Sequence, residues 1–169
     1  MQSYSSSINI STSATAINTY CTKFENLCRA FPGNVDLRVL PEDRLQWKVT
    51  APFNVELEGI VEHRSLASGR VLLWNSSGED APNFEIMIEI FEEPAGDECE
   101  VHLTYSWEPL SGDLCAKALV LSGLHPQTLI PKVLLEMKRA LETHRSTGLR
   151  AIVTDFFAVD VWSPRSQVV

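Results

Sequence analysis

The sequence holds no run approaching the roughly 20 apolar residues that a helix needs to cross a bilayer, so stable membrane insertion is not expected. At the Met1 end no basic segment leads into an apolar stretch, and a secretory leader is not expected either. Cysteine is sparse. Cys21, Cys28, Cys99 and Cys115 never fall at CxxC spacing, which leaves zinc-ribbon and thioredoxin-type chemistry without support. Positive charge is short as well: 14 Lys and Arg stand against 22 Asp and Glu, for a net charge of −8. A broad phosphate-binding surface is therefore disfavoured, and nucleic acid is a poor choice of partner. Lys138 with Arg139, and Arg145 with Arg150, are the densest basic spots, and both read as solvated helix ends. GxSxG, HExxH and Gly-rich phosphate loops are missing. His63, His102, His125 and His144 are scattered, without metal-like spacing. These absences point to a cytoplasmic protein with free thiols and no metal or cofactor.

What is present is patterned apolar sequence. The 169 residues are 44% hydrophobic, enough for one domain with a true core. Residues 129–144 carry Ile130, Val133, Leu134, Met137, Ala140 and Leu141 on one helical face, with Lys132, Glu136, Lys138, Arg139 and Glu142 opposite. Pro131 fits the first turn of that helix, and Thr147-Gly148 is expected to end it. Residues 5–11 read as a first strand. Thr12 or Ser13 can cap a helix from Ala14, and residues 14–20 and 23–31 read as two short helices. Six strands follow, at 35–40, 44–51, 54–64, 70–75, 83–91 and 98–108, most closed by turn residues. A short helix is expected at 114–124. The fold class is α+β: an antiparallel sheet of about seven strands wrapped round a long C-terminal helix.

Alternation separates a buried face from a wet one. Leu45, Trp47 and Val49 share one side. So do Val55, Leu57, Val61 and His63; Phe84, Ile86, Ile88 and Ile90; and Val101, Leu103, Tyr105 and Trp107. Glu56, Glu58, Glu62, Glu85, Glu89 and His102 fall opposite, and Trp74 has no assignable side. His63 is then the best inward polar group, able to orient a ligand carbonyl or act as a general base. The tail at 151–162, AIVTDFFAVDVW, is too apolar for a disordered end. It reads as an extra strand or as a pairing surface for a second copy. The domain is accordingly placed at residues 1–145, with 146–169 as an extension through which a homodimer can form.

The order strand, two short helices, six strands and long helix resembles the helix-grip fold of the START/SRPBCC superfamily. Ser11-Thr12-Ser13-Ala14, Phe24-Glu25-Asn26-Leu27, Arg44-Leu45-Gln46-Trp47, Arg70-Val71-Leu72-Leu73-Trp74-Asn75-Ser76 and the Lys138/Glu142 pair resemble its polyketide cyclase/dehydrase branch. Glu98-Cys99, where that branch often has Gly-Thr, and the 151–162 tail depart from it. The resemblance implies a cavity between sheet and long helix for a small hydrophobic ligand: a lipid, polyketide, quinone or similar molecule. Its walls would be Trp47, Val61, His63, Phe84, Ile88, Leu103, Tyr105, Leu134, Met137 and Leu141. Non-catalytic binding or carriage is favoured because so few inward residues are polar. The alternatives are a cyclase or dehydrase using His63 or Tyr105, and an interaction module with a vestigial pocket.

Overall fold

The computed structural model describes residues 2–31, 35–42, 44–51, 55–66, 69–77, 83–94, 98–108, 117, 120, 121 and 123–156. Strand β1 (Gln2–Ile10) is followed by helices α1 (Ala14–Cys21) and α2 (Phe24–Leu27) and a 3-10 turn (Cys28–Ala30). Then come β2 (Val35–Leu40), β3 (Arg44–Ala51), β4 (Val55–Leu66), β5 (Val71–Ser77), β6 (Phe84–Glu92) and β7 (Cys99–Trp107). Helix α3 (Pro126–Phe156) is the last element among the described residues. The strands form one sheet in the order β1-β7-β6-β5-β4-β3-β2, with every neighbouring pair antiparallel. This is the expected helix-grip arrangement.

The alternation works as the sequence implied. Leu45, Trp47, Val49, Leu57, Val61, Ile86, Ile88, Ile90, Val101, Leu103 and Trp107 are buried. Glu56, Glu58 and Glu62 are exposed. Trp74, which alternation could not place, points inward with Leu72 and Ser76. Helix α3 buries Leu129, Ile130, Val133, Leu134 and Met137 against this face. Each such side chain contributes about 1.5–3 kcal/mol by leaving water.

Several boundaries differ from the expectation. Strand β1 begins three residues earlier, because Tyr4 and Ser6 continue the inward parity of Ile8 and Ile10 and pair with β7. Ser13, of the two candidate caps, accepts the Ala16 N–H of α1 at 3.3 Å. Helix α3 starts at Pro126 rather than near Leu129. Proline lacks an N–H and holds its φ near the helical value, so Pro126 suits the first helical position. His125 caps it: its Nδ1 accepts the Gln127 N–H at 3.4 Å, and its carbonyl accepts from Thr128 N–H, Leu129 N–H and the Thr128 hydroxyl. Pro131 consequently lies inside the helix.

At the other end the expected stop at Thr147-Gly148 is wrong. The helix continues through residues 151–156, where a strand was expected. A lone glycine with no proline close behind it costs a helix about 1 kcal/mol but leaves the hydrogen-bond ladder intact. The rest of the tail, 157–169, lies outside the described residues. So does most of the expected 114–124 helix, of which residues 117, 120 and 121 are helical.

The long helix also seals one sheet edge. Lys138 Nζ donates to the Asn9 carbonyl at 2.7 Å, and the Ser11 N–H donates to Glu142 Oε1 at 3.1 Å. Lys138 and Glu142 pair with each other at 3.3 Å. The Lys-x-x-x-Glu pattern thus occupies backbone groups at the end of edge strand β1 that would otherwise be open to another chain.

Candidate functional site

A cavity of about 50 Å³ lies between the sheet and the N-terminal turn of α3. Strand alternation supplies Val35 from β2, Trp47 and Val49 from β3, Phe84 and Ile86 from β6, and Tyr105 from β7. The helical insert supplies Phe24 and Phe31, and Leu124 and Leu129 close the helix side. A second space of about 20 Å³ adjoins it, sharing Phe24, Phe31, Ile86, Tyr105 and Leu129 and adding Leu27, Leu103, Ile130 and Val133. The phenyl ring of Phe84 stands between two others. Its centroid is 5.8 Å from the Trp47 indole and 5.4 Å from the Tyr105 ring, nearly parallel to the latter at 21°.

Among the described residues, two lining side chains of the larger cavity have polar atoms, Trp47 and Tyr105. The Trp47 indole N–H already donates to Ser76 Oγ at 2.7 Å. The Tyr105 hydroxyl is therefore the polar atom that a bound molecule can address. Burial pushes this phenol well above its usual pKa, because the phenolate is the form that loses solvation. Tyr105 is thus a hydrogen-bond donor at neutral pH and unsuited to be a base.

Of the ten residues expected in the walls, Trp47, Phe84, Leu103 and Tyr105 line these spaces. Val61, Ile88, Leu134 and Met137 are fully buried core, and Leu141 is half-buried beside it. Met137 Sδ rests 3.9 Å from Cys21 Sγ. The His63 ring lies tilted against Trp74 with centroids 4.7 Å apart, and its Nε2 is buried without a hydrogen-bond partner among the described residues. The cavity sits nearer the start of α3 than expected because the helix begins three residues earlier and its middle packs directly on the sheet. Alternation already placed Val49 and Ile86 inward. Phe24 stood out only within the Phe24-Glu25-Asn26-Leu27 resemblance, and Phe31, Leu124 and Leu129 carried no sequence signal beyond being apolar.

Among the described residues no cluster of three His, Cys, Asp or Glu side chains could hold a metal ion. Among them, too, no helix is long and apolar enough to cross a membrane.

No family model matches the sequence, and no curated protein matches it significantly. Solved structures do match. A conserved protein from Geobacillus kaustophilus superposes with a TM-score of 0.65 at 16% identity, over 84% of this chain and 96% of that one. A START superfamily protein from Mycobacterium smegmatis gives 0.55 at 15% identity, over 82% and 98%. An aromatase/cyclase from Streptomyces gives 0.60 at 10% identity, over 83% and 93%. The chain therefore has the helix-grip fold found in START superfamily proteins and in aromatase/cyclases.

Proposed function

We propose that this protein binds or carries a small hydrophobic molecule in the cavity between sheet and long helix. The observation that carries the reading is the lining itself: aromatic and aliphatic side chains, with the Tyr105 hydroxyl as the one polar side-chain atom there that has no partner among the described residues. Such a site draws its affinity from buried apolar surface, about 25 cal/mol per Å² before association costs. One hydrogen-bond donor then orients the guest, which favours a lipid, polyketide or quinone bearing a carbonyl or hydroxyl. Drug-sized sites span about 300–1,000 Å³, so guests of that size enter by displacing side chains. Phe31 and Leu124, partly buried and outside regular elements, are the side chains proposed to yield. An aromatase/cyclase among the structural neighbours keeps an enzymatic alternative in view. Acid–base chemistry is the weaker reading, because Tyr105 stays protonated and His63 is absent from the larger cavity's lining.

The binding unit is proposed to lie within residues 1–145. Pairing of two copies through 146–169 accompanies it, and sedimentation of the full chain against a chain lacking 149–169 decides that point. The main test is native mass spectrometry of freshly purified protein, with organic extraction of its cargo. A stoichiometric apolar adduct is expected. Tyr105→Phe should weaken binding of a carbonyl-bearing guest roughly 2- to 10-fold, the worth of one neutral hydrogen bond. An empty protein that also ignores a panel of lipids and quinones refutes the proposal.

A further inference from the structure

Trp47 stands directly opposite Gly59 on the neighbouring strand. Its indole crosses over that glycine to reach β5, where the N–H meets Ser76 Oγ at 2.7 Å. Ser76 is the buried polar residue of the described core, with 5% of its surface exposed. Gly59 has no conformational reason to be glycine, because its φ lies outside the left-handed region in which Gly69 and Gly123 are found. It has a steric one. A Cβ at position 59 would lie 2.9 Å from the Trp47 Nε1, 3.1 Å from its Cε2 and 3.0 Å from the Ser77 carbonyl. The indole lies flat on the sheet because nothing stands beneath it and a buried hydroxyl holds its far edge. The same ring lines the cavity and packs against Phe84. How low the indole lies therefore sets how much space remains below the helix.

We propose that Gly59 and Ser76 are positioning residues that hold Trp47 down as the cavity floor, and so set the size of hydrophobic guest the site admits. The inference rests on the ligand-binding reading above and adds the device that selects among guests. Ser76 acts by attraction and Gly59 by the absence of a side chain. Losing either lets the ring rise into the space a guest would use.

The test is calorimetric titration with phenol, naphthol and anthrol, three aryl alcohols of increasing size that can each accept a hydrogen bond from Tyr105. Gly59→Ala should weaken naphthol about tenfold, with a smaller loss for phenol and a larger one for anthrol, as overpacking a filled site does. In a Trp47→Leu background, where no indole can be lifted, Gly59→Ala should leave the size preference unchanged. A merely structural role for Gly59 would damage binding equally in both backgrounds, and that outcome overturns the proposal. Ser76→Ala adds no bulk and serves if Gly59→Ala does not fold. It should lower the anthrol-to-phenol affinity ratio by about threefold or more, and an unchanged ratio overturns the proposal. Wild-type protein that binds none of the three probes refutes the cavity reading itself and this inference with it. Binding by wild type with an unaltered size profile in either variant refutes the inference alone.

Discussion

Replacing Glu142 by glutamine isolates the charge in the clamp between α3 and the edge strand. In the wild type the carboxylate accepts the Ser11 N–H at 3.1 Å and faces Lys138 Nζ at 3.3 Å. Glutamine keeps an acceptor of the same shape and removes the charge. A buried charge-assisted hydrogen bond is worth about 1.5–3 kcal/mol. These side chains are about one-third exposed, and at such sites solvent screening holds ion pairs to about 0.2–1 kcal/mol. The expected loss is about 1 kcal/mol at neutral pH, or about 2–4 °C in Tm for a chain of this size. The pH dependence separates this cause from packing. The Glu142 carboxyl is held below its usual pKa, chiefly by the Ser11 N–H and then by Lys138. A group whose folded pKa is depressed stabilises the fold fully above its unfolded pKa, and that contribution disappears as pH falls through the folded value. Urea unfolding of both proteins from neutral pH into acid should therefore show two stability curves that converge. A gap that persists in acid, or no gap at neutral pH, refutes the clamp.

Three further outcomes are expected. Met137→Ala, at a side chain with 0% exposure, should cost about 2–5 kcal/mol in denaturant unfolding through lost contacts and a new void. His125→Ala should cost about 1 kcal/mol by removing the acceptor for the Gln127 N–H, whereas His125→Asn keeps a capping acceptor; amide exchange over the first turn of α3 reads the difference. Burial pushes the Cys21 thiol up to about 12, and burial followed by Glu25 pushes Cys28 up further. Because the thiolate is the reactive form, iodoacetamide should leave both unmodified in folded protein at neutral pH and label them on unfolding, as read by peptide mass mapping.

Strand alternation carried most of the fold. Period-two runs such as Leu45-Gln46-Trp47-Lys48-Val49 name one strand face without reference to the rest of the chain, and the sheet reproduces that face residue by residue. The site was less legible for two reasons. A helix face says which residues are buried, not whether they meet a cavity or the sheet. Leu134 and Met137 thus have the same pattern as Leu129 and Ile130 while only the latter pair reaches open space. The helix boundaries were misjudged at both ends through punctuation residues. Pro131 looked like the first turn when Pro126 already filled that place, and Gly148 looked like a stop that the backbone did not need. Gly59 was unreadable as a functional position, since its role depends on a tryptophan one strand away.

The pairing of β1 with β7 has a consequence for synthesis. Ser3 and Ser106, which meet through their hydroxyls at 3.1 Å, are 103 residues apart in the chain. Strand β1 leaves the ribosome long before its partner. At about 5–20 residues per second, it waits roughly 5–20 s for β7, and longer for the lysine and glutamate that cover its end. During that interval it is an unpaired strand in a crowded cell. Its sequence, QSYSSSINI, is rich in serine and has no large aliphatic residue until Ile8, and low hydrophobicity lowers the tendency to recruit another nascent chain. The serines that look featureless in the finished fold suit a strand that must stay soluble while it has nothing to pair with.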